Sequence, residues 1–153
     1  MVKTEEKAIN HNAQPKEKVK YLTFQVDNEV YGFDISYVSD INRMQEITLV
    51  PQQNNFVSGV INLRGQIIPV IEIRRRFNKE HREYDDRTCI IVMNFETYTV
   101  GVIVDTVLEV IAVVKDEITS QKTSEKKSRF VQGIIKLNEQ MVTLMDIEKL
   151  LFE

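Results

Sequence analysis

A chain of 153 residues with 20 Lys and Arg against 23 Asp and Glu carries a net charge of -3 and is 42% hydrophobic, room for one ordinary domain or two very small ones sharing a core. That charge argues against general electrostatic binding to nucleic acid or to anionic lipid. The single cysteine, Cys89, leaves no intramolecular disulfide and no thiolate cluster, and no apolar run approaches the ~20 residues that span a bilayer.

Residues 1–19 are polar, contain Lys and Glu, and lack the apolar stretch of a secretory signal, so they read as a disordered leader to a cytoplasmic domain of residues 20–153. Tyr21 to Val26 and Val30 to Asp34 read as strands around the turn Asp27-Asn28-Glu29. Apolar positions 35, 38 and 41 then predict a short helical segment from Ile35 to Ile41. Val57 to Ile71 holds two apolar runs around the tip Leu63-Arg64-Gly65-Gln66, a β-hairpin whose glycine supplies a positive φ. Pro69 has no N–H to give a ladder, which predicts an edge or bulged strand beside that tip.

The i, i+4 pair Ile73 and Phe77 predicts a short helix with Arg74, Arg75 and Arg76 as a solvated rim. Asn78 to Arg87 alternates acids and bases like a solvated connection, and its His81 reads as a surface residue. Thr88 to Phe95 and Tyr98 to Val104 read as a second strand pair, with Cys89 as a buried strand thiol. A hairpin from Val131 and a last helix Ile147 to Leu151, capped by Asp146, complete the series.

The series repeats. An offset of 69 places Phe24 on Met93, Val26 on Phe95, Gly32 on Gly101, Val38 on Val107 and Ile41 on Val110. An offset of 74 places Gly59 on Gly133, Leu63 on Leu137, Val70 on Leu144 and Ile73 on Ile147. The five extra residues fall in the polar connection Lys115 to Arg129, where insertion costs least. The chain therefore divides into two copies of one unit, about 20–77 and 88–153. Short strands that curl, without long parallel crossovers, predict an all-β fold of two small five-stranded β-barrels with short helices, packed through a shared hydrophobic core, with strands open to exchange between the barrels.

Chemistry is sparse. His11 and His81 accompany no nucleophile or ligand set, and the five isolated glycines form no phosphate loop. No catalytic residue, metal site or cofactor is expected, and four of the glycines pair up in the repeat as scaffold positions. The copies differ where one has Asn62-Leu63-Arg64-Gly65 and the other Lys136-Leu137-Asn138-Glu139, which makes Arg64 the residue that the repeat does not explain.

The stretches from Val30 to Ile41, Val57 to Gly65 with its Asn-Leu-Arg-Gly turn, Pro69 to Arg74 and Val100 to Val107 closely resemble the CheW family of chemotaxis coupling proteins, from about Tyr21 to Phe152. The resemblance implies barrels of the SH3-like kind. It also implies a non-catalytic bacterial adaptor that links the cytoplasmic tips of methyl-accepting chemoreceptors to the histidine kinase CheA. Such an adaptor would sit at receptor arrays on the inner face of the membrane, without inserting into it and without nucleic acid as a partner. A chain ending at Glu153 leaves no room for a kinase core or a receiver domain, so the stand-alone adaptor is expected. By the same resemblance Arg64 is the key receptor-binding residue, Gly59 and Gly65 set its turn, and Val38, Asp40 and Ile41 lie on the adjoining segment; the kinase-binding residues stay unassigned. An adaptor domain for another receptor and histidine-kinase system is the alternative.

Overall fold

Strand β1 (Lys18–Val26) buries both of its faces, which is why its sequence runs apolar instead of alternating. Tyr21 points into one hydrophobic cluster, whereas Leu22, Phe24 and Val26 enter another. The computed structural model describes residues 17–50, 57–120 and 130–152. Most of the expected leader, 1–16, and the segment 121–129 lie outside the described residues. Lys18 and Val19 of β1, at the end of the expected leader, pair with Val114 and Val113.

The remaining strands are β2 (Glu29–Asp34), β3 (Val38–Arg43), β4 (Val57–Leu63), β5 (Gln66–Glu72), β6 (Cys89–Asn94), β7 (Thr99–Val104), β8 (Thr106–Val114), β9 (Val131–Leu137) and β10 (Gln140–Met145), with helices α1 (Ile73–Arg76) and α2 (Ile147–Phe152). They form two five-stranded sheets, ordered β8-β1-β2-β10-β9 and β3-β6-β7-β5-β4. Each sheet thus takes the first hairpin of one copy and the last three strands of the other. Single bridges curl each sheet back on itself: Thr48, beyond β3, pairs with Val60 of β4, and Thr119, beyond β8, pairs with Ile134 of β9. We call the sheet containing β1 barrel A and the other barrel B.

The repeat is carried into the pairing. Parallel strands β2 and β10 set Gly32 opposite Leu144, and β7 and β5 set Gly101 opposite Val70, the same positions in the two copies. A Cβ on Gly101 would come within 2.9 Å of Val70 and Ile90, so glycine is required by close approach of neighbouring strands. Three clusters share the apolar residues. Tyr21, Val30, Ile111, Ile135 and Leu144 fill barrel A, and Ile61, Ile68, Val70, Ile90 and Ile103 fill barrel B. The largest lies between the barrels and draws on both copies, including Phe24, Phe33, Ile73, Met93, Val102 and Ile147.

Three local expectations are corrected. Ile35 to Ile41 is not a helical stripe: only Ile35–Tyr37 forms a 3-10 turn, after which the chain extends as β3 because Val38 to Arg43 pair with β6. Pro69 does not mark an edge, since β5 lies between β4 and β7. Its partner Val60 spends both backbone groups on Thr48, so the Pro69 nitrogen faces β7, where the parallel ladder begins only at Val70. Finally, Arg74 and Arg76 are buried, not a solvated rim. Arg76 lies 4.3 Å above the Phe130 ring, and its Nε donates to the Leu150 carbonyl.

Candidate functional site

The pairing Leu63↔Gln66 leaves a two-residue loop, Arg64-Gly65, between β4 and β5, with φ of 50° and 84°. These are the left-handed values that a right-twisted hairpin demands. The loop is fixed from below, where Gly65 donates its N–H to Asn62 Oδ1 at 2.9 Å and Gln45 donates to the Asn62 carbonyl at 2.9 Å. In the second copy Asn138 and Glu139 adopt φ of 50° and 69°, the same bend. Asparagine suits such a position; arginine pays about 1–2 kcal/mol there for Cβ crowding. The bend therefore does not need Arg64, and its presence at a costly position points to a use outside the fold.

The Arg64 guanidinium reaches across the barrel to β3, where Nη2 meets Asp40 Oδ2 at 3.0 Å. β3 and β4 are the two outer strands of that sheet, so the pair bridges the gap that the single Thr48 bridge leaves partly open. With side chains 69% and 32% exposed, its contribution to stability is under ~1 kcal/mol. It orients the guanidinium but leaves most of it accessible. A bulge between Val38 and Asp40 re-aims β3, and Ser39 secures it by donating to the Val92 carbonyl at 3.3 Å.

Of the expected site residues, the structure brings Arg64, Gly65 and Asp40 together. Val38 is half-buried and packs against the inter-barrel cluster. Ile41 stands on the opposite face of β3 from Asp40 and is 46% exposed. Gly59 does not set the turn. It lies inside β4, where a Cβ would meet Ile47 Cγ2 and the Thr48 carbonyl at 2.5 Å, so its role is to let that segment close the barrel.

Two features escaped sequence reasoning. Tyr37, Phe95 and Val107 pack with Val38 on the rim of the inter-barrel cluster, and only the alignment of Val38 on Val107 hinted at it. The second is ionic. Arg74 forks onto Asp105, with Nε to Oδ1 at 2.9 Å and Nη2 to Oδ2 at 2.8 Å, and also contacts Asp27. Burial alone would raise the Asp105 pKa, but Arg74, the Asp27 N–H and Arg82 hold it below the usual carboxylate range. His81 is exposed, yet its Nδ1 lies 2.8 Å from the buried Glu72. Burial and that carboxylate push the Tyr84 hydroxyl up to about 12. These pairs fasten the 78–87 connection, which therefore is not a freely solvated run.

Among the described residues no group of three or more His, Cys, Asp or Glu is arranged to hold a metal ion, and no helix is long and apolar enough to cross a membrane. What the arrangement offers is an accessible cation on a braced turn, with exposed apolar side chains on β5 and β3, Ile67 and Ile41, a composition suited to a protein interface.

Comparison with known proteins shows what the chain as a whole is similar to. The family model of the CheW-like domain matches residues 20–153. The chemotaxis protein CheW of Klebsiella aerogenes is 36% identical over 134 residues, covering 86% of this chain and 81% of that protein. The chemotaxis protein CheW of Thermotoga maritima is 30% identical over 141 residues, covering 92% and 93%. The crystal structure of the scaffolding protein TtCheW from Thermoanaerobacter tengcongensis matches with a TM-score of 0.79 at 34% identity, over 94% of this chain and 92% of that one.

Proposed function

The chain belongs to the CheW family and is a chemotaxis adaptor, and from that premise we propose that it joins the cytoplasmic tips of methyl-accepting chemoreceptors to the histidine kinase CheA. It does so without chemistry of its own, as a cytoplasmic component of receptor arrays on the inner face of the membrane. Its output is a coupling free energy, because a scaffold works by holding two partners in one geometry.

The receptor docks on the Arg64 turn and the adjoining β3, using Arg64 as polar anchor and Val38, Asp40 and Ile41 around it. The observation that supports this reading is the Arg64–Asp40 pair, a mostly exposed guanidinium held at a left-handed position that the fold itself does not require. An exposed pair exchanges its partner at little cost, so an acidic group on the receptor can take over the guanidinium.

The test is reconstitution of receptor-bearing membranes, CheA and this protein. Arg64→Glu is expected to keep the fold, judged by its circular dichroism and melting curve, and to lose receptor-dependent stimulation of the kinase. Wild-type stimulation by the folded variant would remove Arg64 from the docking site.

A further inference from the structure

The chain crosses between the barrels twice in equivalent places, and the two crossings are built differently. Asp105 is the single residue between β7 of barrel B and β8 of barrel A. The equivalent crossing runs from β2 of barrel A to β3 of barrel B through the 3-10 turn Ile35–Tyr37. Since Val38 follows one crossing and Val107 lies two residues past the other, whatever holds the crossings sets how the rim of the inter-barrel cluster is spaced.

At Asp105 the crossing is clamped by four hydrogen bonds from three residues. Arg74, which leaves barrel B at the end of β5, makes the two-bond fork, and its side chain is 8% exposed against 10% for Asp105. The same guanidinium contacts Asp27 in the β1–β2 turn of barrel A and donates to the Glu80 carbonyl at 3.0 Å. Asp27 adds its own N–H to Asp105 Oδ2 at 2.8 Å, and Arg82 approaches the same oxygen at 3.1 Å. Buried bidentate bonds of this kind hold both distance and angle, and salt screens them little.

Among the described residues the other crossing has no such ionic fork. By the repeat offsets, Arg74 corresponds to Glu148, Asp105 to Ser36 and Asp27 to Glu96, so the residue equivalent to the central cation is an acid. Glu148 instead accepts one exposed hydrogen bond, from the Tyr37 hydroxyl at 3.1 Å. Tyr37 also packs 5.3 Å from the Phe95 ring, a contact that tolerates sliding.

We propose that Arg74 is the positioning residue that fixes barrel A against barrel B, with the Asp105 crossing as the fixed pivot and the Ile35–Tyr37 crossing as the compliant one. Through that pivot it sets the geometry of the docking surface beside Val38. This last step rests on the docking site proposed above; the pivot does not.

Residual dipolar couplings of the backbone amides in the full chain, uniformly labelled with nitrogen-15, report the relative orientation of the barrels. In the wild type one alignment frame fits both. In Arg74→Met each barrel should still fit well by itself, while the two frames diverge; Glu148→Ala should keep one frame. A folded Arg74→Met with a single wild-type frame overturns the proposal, and divergence in Glu148→Ala overturns the asymmetry. Should Arg74→Met fail to fold, Asp105→Asn and Asp27→Asn, which keep side-chain volume, decide by the same measurement. A receptor cytoplasmic fragment should bind the divergent variant about tenfold more weakly, an ordinary coupling. Divergent frames with wild-type binding overturn the link to docking, and Arg64→Glu binding normally in parallel would place the fault in the docking site instead.

Discussion

Arg76 and Leu150 occupy equivalent positions in the two copies, and they meet: the Arg76 Nε donates to the Leu150 carbonyl. One copy supplies a cation where the other supplies the end of a helix, which leaves a last-turn carbonyl in need of a donor.

Arg76→Leu therefore removes a buried charge-assisted bond and the contact with the Phe130 ring, and is expected to cost about 2–4 kcal/mol. Urea unfolding followed by circular dichroism measures it. A loss below ~1 kcal/mol would mean that Leu150 finds another donor, such as water.

Arg64 and Asp40 behave in the opposite way. Because the pair is largely exposed, a double-mutant cycle with Arg64→Ala and Asp40→Ala should give a coupling of about 0.2–1 kcal/mol in stability. A coupling well above that range would assign the pair to holding the barrel closed.

The glycines separate by mechanism. Gly59→Ala drives a methyl into the Thr48 carbonyl, which is backbone and cannot step aside, so about 1–3 kcal/mol should be lost. Gly65→Ala meets nothing within 4 Å but carries a φ of 84°, and should cost about 1–2 kcal/mol from backbone crowding alone. Gly65→Asn, which tolerates that φ, should recover part of the Gly65→Ala loss, whereas Gly59→Asn should be worse than Gly59→Ala; melting temperatures of the four variants distinguish the two mechanisms.

Asp105 makes stability depend on acid pH. Its folded pKa lies below the unfolded value of about 3.9, so its contribution is complete above that value and is lost as pH falls through the folded one. The deficit of Asp105→Asn relative to wild type should then be constant from neutral pH to about pH 5 and should shrink below about pH 4. Urea midpoints across that range test it, and a deficit as large at about pH 3 as at neutral pH would remove the Arg74 fork as its source.

The repeat, the β class and the shared core were legible because they rest on apolar periodicity and isolated glycines, which local sequence records directly: Gly32 and Gly101, like Val70 and Leu144, kept their register in the folded chain. The Arg64 turn was legible for the same reason, since the glycine three residues past Asn62 needs its positive φ wherever the hairpin goes. Partners distant in sequence were not. Nothing near Arg74 announces Asp105 or Asp27, 31 and 47 residues away, and three adjacent arginines look like a solvated rim until the exchange of strands brings those carboxylates to one of them. Val38 to Ile41 was misread as helical because a spacing of three fits a helix, while the pairing that makes it a strand comes from β6, in the other copy. Sequence alone determined which residues must be buried and where the chain must turn, because those demands are local. Only the tertiary structure decided which charges meet, because a salt bridge depends on the path of the whole chain between its partners.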